Sequence, residues 1–214
     1  MVSPLHSKQV QGKNMESLEA AIEDARSRYV TANPLSQAAD EEAARYLPGG
    51  NTRSVLHFDP FPLTMVGGDG AELIDLDGHR YVDFVGEYSA ALFGHSNEVI
   101  KAAIHEALDD GVTMGAPTAH ERELAGLLCE RFPSLEQIRF CNSGTEANLM
   151  ALSTARVTTG RNKLLAFNDG YHGGVIKFLG GRCALNMPFD FVLSDYNDIE
   201  GTERLIDEVG SDLA

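Results

Sequence analysis

From Gly94-His95-Ser96 onward, amphipathic helical patterns alternate with short apolar runs, and this alternation restricts the fold more than any other feature of the chain. Val99, Ile100, Ala103, Ile104, Ala107 and Leu108 recur at helical spacing and stop before Gly111. Thr118-Ala119-His120-Glu121 reads as a capping box, in which hydroxyl and carboxylate can each satisfy an orphan N–H. The helix it opens is expected to turn Leu124, Leu127 and Leu128 inward. Short apolar runs predict strands near 137–142, 163–168 and 189–194, followed by a helix near 198–209. Helices alternating with strands favour α/β architecture with a mostly parallel sheet.

Upstream, the pattern is different. Residues 1–14 are polar and are expected to form a disordered tail. From about Met15 a helix places Leu18, Ile22, Ala25 and Tyr29 on one face, and a second runs through QAADEEAARYL to Pro48-Gly49-Gly50. LTMVGGDGAELIDLDGHRYVDF reads as an antiparallel ribbon, because Asp69-Gly70 and Asp77-Gly78 supply the positive φ that hairpin turns need. The expected organisation is therefore a tail (1–14), a segment of helices and ribbon (15–94), and the first part of a larger α/β domain (95–214).

The 214 residues are 43% hydrophobic, ordinary for a globular core. A formal charge of -15 with no cluster of lysine and arginine argues against nucleic-acid or anionic-membrane partners, which reward concentrated positive charge. Cys129, Cys141 and Cys183 are too far apart for a C-x-x-C and read as reduced packing residues. The opening MVSPLHSKQVQGKN lacks the apolar centre of a signal peptide, and no run has membrane length, so a cytoplasmic location is expected.

The chemistry concentrates in FCNSGTEANLMA (140–151), which reads as strand end, turn and helix start. Asn142, Ser143, Gly144 and Thr145 offer hydroxyls and unscreened backbone N–H groups at the positive end of a helix, a socket for phosphate. An ordinary strand-to-helix turn with serine or threonine capping would use the same residues. Other phosphate motifs fail: Gly12-Lys13 lacks the rest of a Walker loop, and no G-x-G-x-x-G stands at a strand-to-helix turn. His105-Glu106 and His120-Glu121 begin a zinc motif, but Asp109 and Leu124 occupy the second histidine's place. NDGYHGG (168–174) follows the next expected strand, so a parallel sheet would bring Tyr171 and His172 to the same carboxyl edge as Ser143. An aromatic ring beside a phosphate socket suits a flat heteroaromatic phosphate, although such a turn can also be purely structural.

Taken in order, Gly-Asn-Thr-Arg-Ser, AELIDLDGHRYVDF, GHS before a helix, RFCNSGTEAN and NDGYHGG resemble the class III pyridoxal-phosphate aminotransferases of fold type I. Within that class the similarity is greatest to the β-amino-acid (β-phenylalanine) aminotransferases and to glutamate-1-semialdehyde aminomutase, and it covers nearly all of residues 30–210. The resemblance implies a truncated fold type I PLP-transferase: amino-terminal helices and β-ribbon, then the first part of the large domain's parallel sheet. It implies that Ser143, Gly144 and Thr145 hold the phosphate of pyridoxal 5'-phosphate, with Tyr171 against the ring and His172 beside it. Glu146 and Asn148 lie under the site, where cap and packing roles explain them equally well. Arg53 would bind the substrate carboxylate, for which a planar guanidinium fork is suited. The aminomutase pattern lacks an arginine immediately after this Asn-Thr step, which favours a β-transaminase.

Pyridoxal chemistry also needs a lysine for the Schiff base and proton transfer, and a carboxylate opposite the ring nitrogen. Of Lys8, Lys13, Lys101, Lys163 and Lys177, only Lys177 lies near the tyrosine turn, and the family lysine belongs to a much later segment. Asp195 and Asp198 likewise fall too early for the ring-nitrogen partner. The chain thus resembles the first half of a family chain roughly twice this length, with the catalytic lysine elsewhere. The expected function is amino transfer from a β-amino or related acid to a 2-oxo acid, by a homodimer. The alternatives are an aminomutase and a non-catalytic fragment that binds the cofactor or another phosphate.

Overall fold

Pro34 divides the amino-terminal helical segment in two. In the computed structural model, which describes residues 4–214 apart from the side chains of 4–16 and Ser54, α1 spans Pro4–Ala32 and α2 spans Pro34–Ala43. Proline suits the first turn of a helix, where its missing N–H leaves no bond unmade, and disrupts the interior. Helix α1 starts ahead of the expected Met15 and takes in most of the segment expected as a tail. Polar straight-chain residues are good helix formers, so lack of an apolar face does not prevent a helix.

The chain divides into two compact units, Met1–Gly115 and Ala116–Ala214. In the first, β1 (Met65–Asp69), β2 (Glu72–Asp75) and β3 (Arg80–Val82) form the expected antiparallel ribbon, with Gly70 and Gly78 at positive φ in its turns. The second of these turns also starts α2. The carboxylate of Asp77 accepts hydrogen bonds from the N–H groups of Leu35 (2.8 Å) and Ser36 (3.0 Å) and from the Ser36 hydroxyl (2.8 Å), taking over orphan donors of the helix end. Desolvation opposes ionisation of Asp77, but these bonds prevail and hold its carboxyl below the usual range.

Helix α3 (Glu98–Asp109) belongs to this unit too, so the division falls after Gly115 and not between 94 and 95. The reason is that the GHS turn is bonded to the ribbon. His95 N–H donates to Gly70 O at 3.0 Å, and His95 Nε2 lies 2.9 Å from Asp83 Oδ2. Gly94 has φ +76, and a Cβ there would come within 2.7 Å of Gly70 O, so only glycine fits this approach.

The second unit contains α4 (Ala119–Arg131), α5 (Gly144–Thr159), β4 (Lys163–Phe167), β5 (Asp190–Ser194) and α6 (Ile199–Val209). Strands β4 and β5 are parallel and in register from Lys163↔Asp190 to Phe167↔Ser194. A further parallel bridge joins Lys163 to Leu213, where Ala214 N–H donates to Lys163 O at 3.0 Å. The core is Leu164, Ala166, Ile176, Phe178 and Phe191, with Leu149 and Leu152 of α5 packed on it.

Three local expectations are corrected. Residues 137–142 are not a strand: extended backbone becomes one only by pairing its polar groups with a neighbour, and this segment has no ladder partner among the described residues. Helix α4 starts after Thr118 as expected, but the threonine side chain makes no capping bond. Leu124 and Leu127 are exposed rather than inward-facing, with no cover over that apolar stripe among the described residues.

Candidate functional site

Helix α5 begins where small polar residues replace the apolar run. Ser143 is its N-cap, with extended backbone (φ −155, ψ 159), and its hydroxyl accepts from Glu146 N–H at 3.2 Å. The Glu146 carboxylate reaches back and accepts from Asn142 N–H at 2.8 Å, so Glu146 acts as a cap. The N–H groups of Gly144 and Thr145 meet no acceptor among the described residues, as expected for the first turn of a helix. They lie at the positive end of the dipole of a 16-residue helix.

The loop after β4 is fastened to this helix start. Thr145 Oγ1 accepts from Gly174 N–H at 3.2 Å, and Asn148 Nδ2 donates to His172 O at 2.8 Å, which gives Asn148 the packing role. At Gly173, with φ +126, a Cβ would stand 2.4 Å from Thr145 Oγ1. The close approach of the two backbones therefore requires glycine. The loop itself hangs on Phe178, which is fully buried: Asp169 N–H donates to Phe178 O at 3.0 Å, and Phe178 N–H donates to Gly170 O at 2.9 Å. Within it Tyr171 bridges Lys177, and His172 N–H donates to Ile176 O at 2.8 Å.

Five of the six expected site residues thus come together: Ser143, Gly144 and Thr145 on the helix start, with Tyr171 and His172 on the turn bonded to it. Tyr171 is exposed. The helix start carries two unclaimed backbone N–H groups and two hydroxyls, and Tyr171 belongs to the turn bonded to it.

Arg53, the sixth, belongs to the first unit. Its N–H donates to Asn51 Oδ1 at 3.0 Å, and its guanidinium Nη1 donates to Glu87 Oε1. Glu87 in turn lines a cleft of about 860 Å³ whose other walls include Leu56, Phe58, Met65, Val85 and Ala91. Glu87 and Asp83 stand outside the residues expected from the sequence. Asp83 Oδ1 accepts from Gly86 N–H and Val85 N–H, each at 2.9 Å, and these bonds, led by Gly86, hold its carboxyl below the usual range against burial. Gly86 was the only available signal of an unusual turn at this point.

A helix start with unclaimed donors is thus tied to an aromatic turn that follows a parallel strand in an α/β unit. The comparisons make this specific: residues 56–183 match the class-III aminotransferases, and the chain belongs to that family. It is 48% identical over 198 residues to the β-phenylalanine transaminase of Variovorax paradoxus, a match covering 92% of this chain and 46% of that one. The crystal structure of a β-phenylalanine aminotransferase from that organism superposes with a TM-score of 0.87, covering 91% and 45%. A glutamate-1-semialdehyde 2,1-aminomutase of Bacillus licheniformis is 38% identical over 196 residues, covering 84% and 46%. A solved transaminase with PLP bound is 30% identical, with a TM-score of 0.77 over 85% of this chain and 46% of its own. The chain spans about half the length of the relatives it matches, the amino-terminal half of a fold type I α/β transferase.

Proposed function

We propose that this chain supplies the amino-terminal half of a pyridoxal-phosphate aminotransferase that moves an amino group from a β-amino or related acid to a 2-oxo acid, as a homodimer. The observation that carries the reading is the fastening of the Tyr171–Gly174 turn onto the start of α5. The residues present fit the cofactor. The unclaimed N–H groups of Gly144 and Thr145, with the Ser143 and Thr145 hydroxyls, would hold its phosphate at the helix end. Tyr171 would lie against the ring and His172 beside it, and the absence of a side chain at Gly173 keeps the two halves of the cradle in contact.

When bound, the cofactor supplies an electron sink for breaking bonds at the substrate carbon. This chain's part is to hold and to orient. Arg53 would receive the substrate carboxylate, and the mainly apolar cleft beside Glu87 suits an apolar substrate side chain. The proton-moving lysine is not assigned to this chain. Among the described side chains Lys101 pairs with Glu98 (3.0 Å) and Lys163 with Asp212 (2.9 Å), and Lys177 lies on the tyrosine loop. Greater identity to the β-phenylalanine transaminase than to the aminomutase supports amino transfer over intramolecular rearrangement.

Mixing the chain with a carboxyl-terminal half from a close relative, pyridoxal 5'-phosphate, β-phenylalanine and a 2-oxo acid tests the proposal. The expected result is a cofactor chromophore that borohydride fixes covalently, together with amino transfer. A folded complex without either overturns it. The lack of an assigned lysine favours one second reading, a fragment that only captures the phosphate compound, which predicts saturable binding by this chain alone and no turnover in the mixture.

A further inference from the structure

The most unusual backbone in the molecule lies in the first unit. Gly86 (φ 53), Glu87 (φ 47), Tyr88 (φ 53) and Ser89 (φ 77) are four successive residues in the left-handed region, and three of them carry side chains. One left-handed glycine would suffice to turn the chain; a run with side chains is disfavoured at each step and persists only where its surroundings impose it. Those surroundings are visible. Asp83, whose side chain is nearly buried, takes the N–H groups of Val85 and Gly86 on one oxygen and His95 on the other. Downstream, Ala90 N–H donates to Glu87 O at 3.2 Å and Ala91 N–H to Gly86 O at 3.0 Å.

The turn does not serve packing, since Tyr88 is 60% exposed. What it delivers is the Glu87 carboxylate, which lines the cleft and accepts from the guanidinium of Arg53. That pair is about half exposed on both sides (47% and 49%), a setting in which ion pairs contribute little to stability. A braced, disfavoured turn that ends in a weakly stabilising pair makes sense if the product is orientation. Arginine loses much rotamer freedom when fixed, and carboxylate recognition depends on the direction of its planar fork.

We infer that Glu87 is a positioning residue for Arg53: the left-handed turn presents a carboxylate that holds the guanidinium in the orientation from which it receives a substrate carboxylate. The inference rests on the reading of Arg53 given above. It predicts that Glu87 acts more strongly on carboxylate-bearing substrates than on amines, and does so through Arg53.

The test uses the reconstituted enzyme with a β-amino acid and with the matching amine that lacks the carboxylate. Glu87→Ala should raise KM for the acid about two- to fivefold, as loss of a half-exposed ion pair allows, with kcat unchanged and a smaller change in KM for the amine. Glu87→Asp should recover part of that loss, and Glu87→Ala added to Arg53→Ala should change nothing further. Equal losses on acid and amine, or losses that multiply in the double variant, overturn the inference while leaving Arg53 in its role. If Arg53→Ala treats acid and amine alike, the Arg53 reading itself fails, and this inference with it. A measurement free of turnover uses the chain labelled with ¹⁵N-arginine. Rotation of the Arg53 guanidinium should be slow in the wild type, fast in Glu87→Ala and intermediate in Glu87→Asp, and free rotation in the wild type contradicts the inference.

Discussion

The two compact units are held together by different physics. In Met1–Gly115 the most buried side chains are Ser36, Asp75, Asn33 and Phe61, three of them polar. Asp75 accepts from His79 N–H (2.7 Å) and the Tyr81 hydroxyl (2.8 Å), and lies 2.9 Å from His79 Nδ1. In Ala116–Ala214 the buried set is Leu164, Ala166, Ile176, Phe178 and Phe191, with Ser194 as its one buried polar member, 2.7 Å from the Thr202 hydroxyl. Directional bonds aim particular groups and fail when one partner is lost; apolar packing tolerates rotation but not missing volume. The difference matches the proposed tasks. In that proposal the first unit would orient one guanidinium, while the second keeps two backbones in contact.

Removing volume from the second unit should have the largest effect. Phe178→Ala should destabilise it by about 3–5 kcal/mol, the usual range for a buried phenylalanine. Because Phe178 also anchors the loop at Asp169 and Gly170, hydrogen exchange followed by mass spectrometry should rise in β4 and at 168–174 together. Equal acceleration in the first unit would mean that the two do not respond separately.

A smaller effect is expected from Asp75→Ala, which leaves the donors of His79 and Tyr81 without their acceptor. The cost should be about 1–3 kcal/mol, confined to the ribbon and visible in the same exchange experiment. Acid should reproduce this selectivity without a mutation. Burial opposes ionisation of Asp75, but its bonds from His79 and Tyr81 prevail, so its pKa is lowered, as are those of Asp77 and Asp83. A carboxylate with a depressed folded pKa stabilises above its unfolded value, about 3.9, and that contribution is lost as pH falls through the folded value. The first unit should therefore loosen before the second as pH drops below about 4, and the reverse order in a unit-resolved acid titration would break the comparison. Alkali acts on the ribbon as well. Burial, with the hydrogen bond to Asp75, pushes the Tyr81 hydroxyl up to about 12, so its contribution is complete below about 10 and fades as pH rises towards 12. The smallest change should come from Asp77→Ala, which frees the N–H groups of Leu35 and Ser36 and should speed exchange only at the start of α2.

Much of the fold was legible because it depends on local chemistry. Asp-Gly turns and the serine before α5 act within a few residues, and the ribbon, both parallel strands and the start of α5 lie where the sequence puts them. That NSGT and GYHGG lie together was legible in part: each carries its own turn, and the bonds from Gly174 N–H to Thr145 and from Asn148 to His172 join them. What escaped depends on partners. Periodicity marks Leu124 and Leu127 as one face but does not say what covers it, and an apolar run at 137–142 becomes a strand only beside another strand. Glu87 was illegible for a third reason. Nothing in the letters Glu-Tyr-Ser signals a left-handed backbone, and its partner is 34 residues away.

The central claim is that the start of α5 and the Tyr171–Gly174 turn together seat a ring that carries a phosphate. It is tested most directly by amide chemical shifts of the chain titrated with 4-deoxypyridoxine 5'-phosphate, which has the ring and phosphate but no aldehyde to react with lysines. The account predicts saturable shifts centred on Gly144, Thr145 and residues 171–174, weaker with inorganic phosphate and much reduced in Gly173→Ala. Saturable shifts that leave those amides unmoved, or none at all from a folded chain, would contradict it.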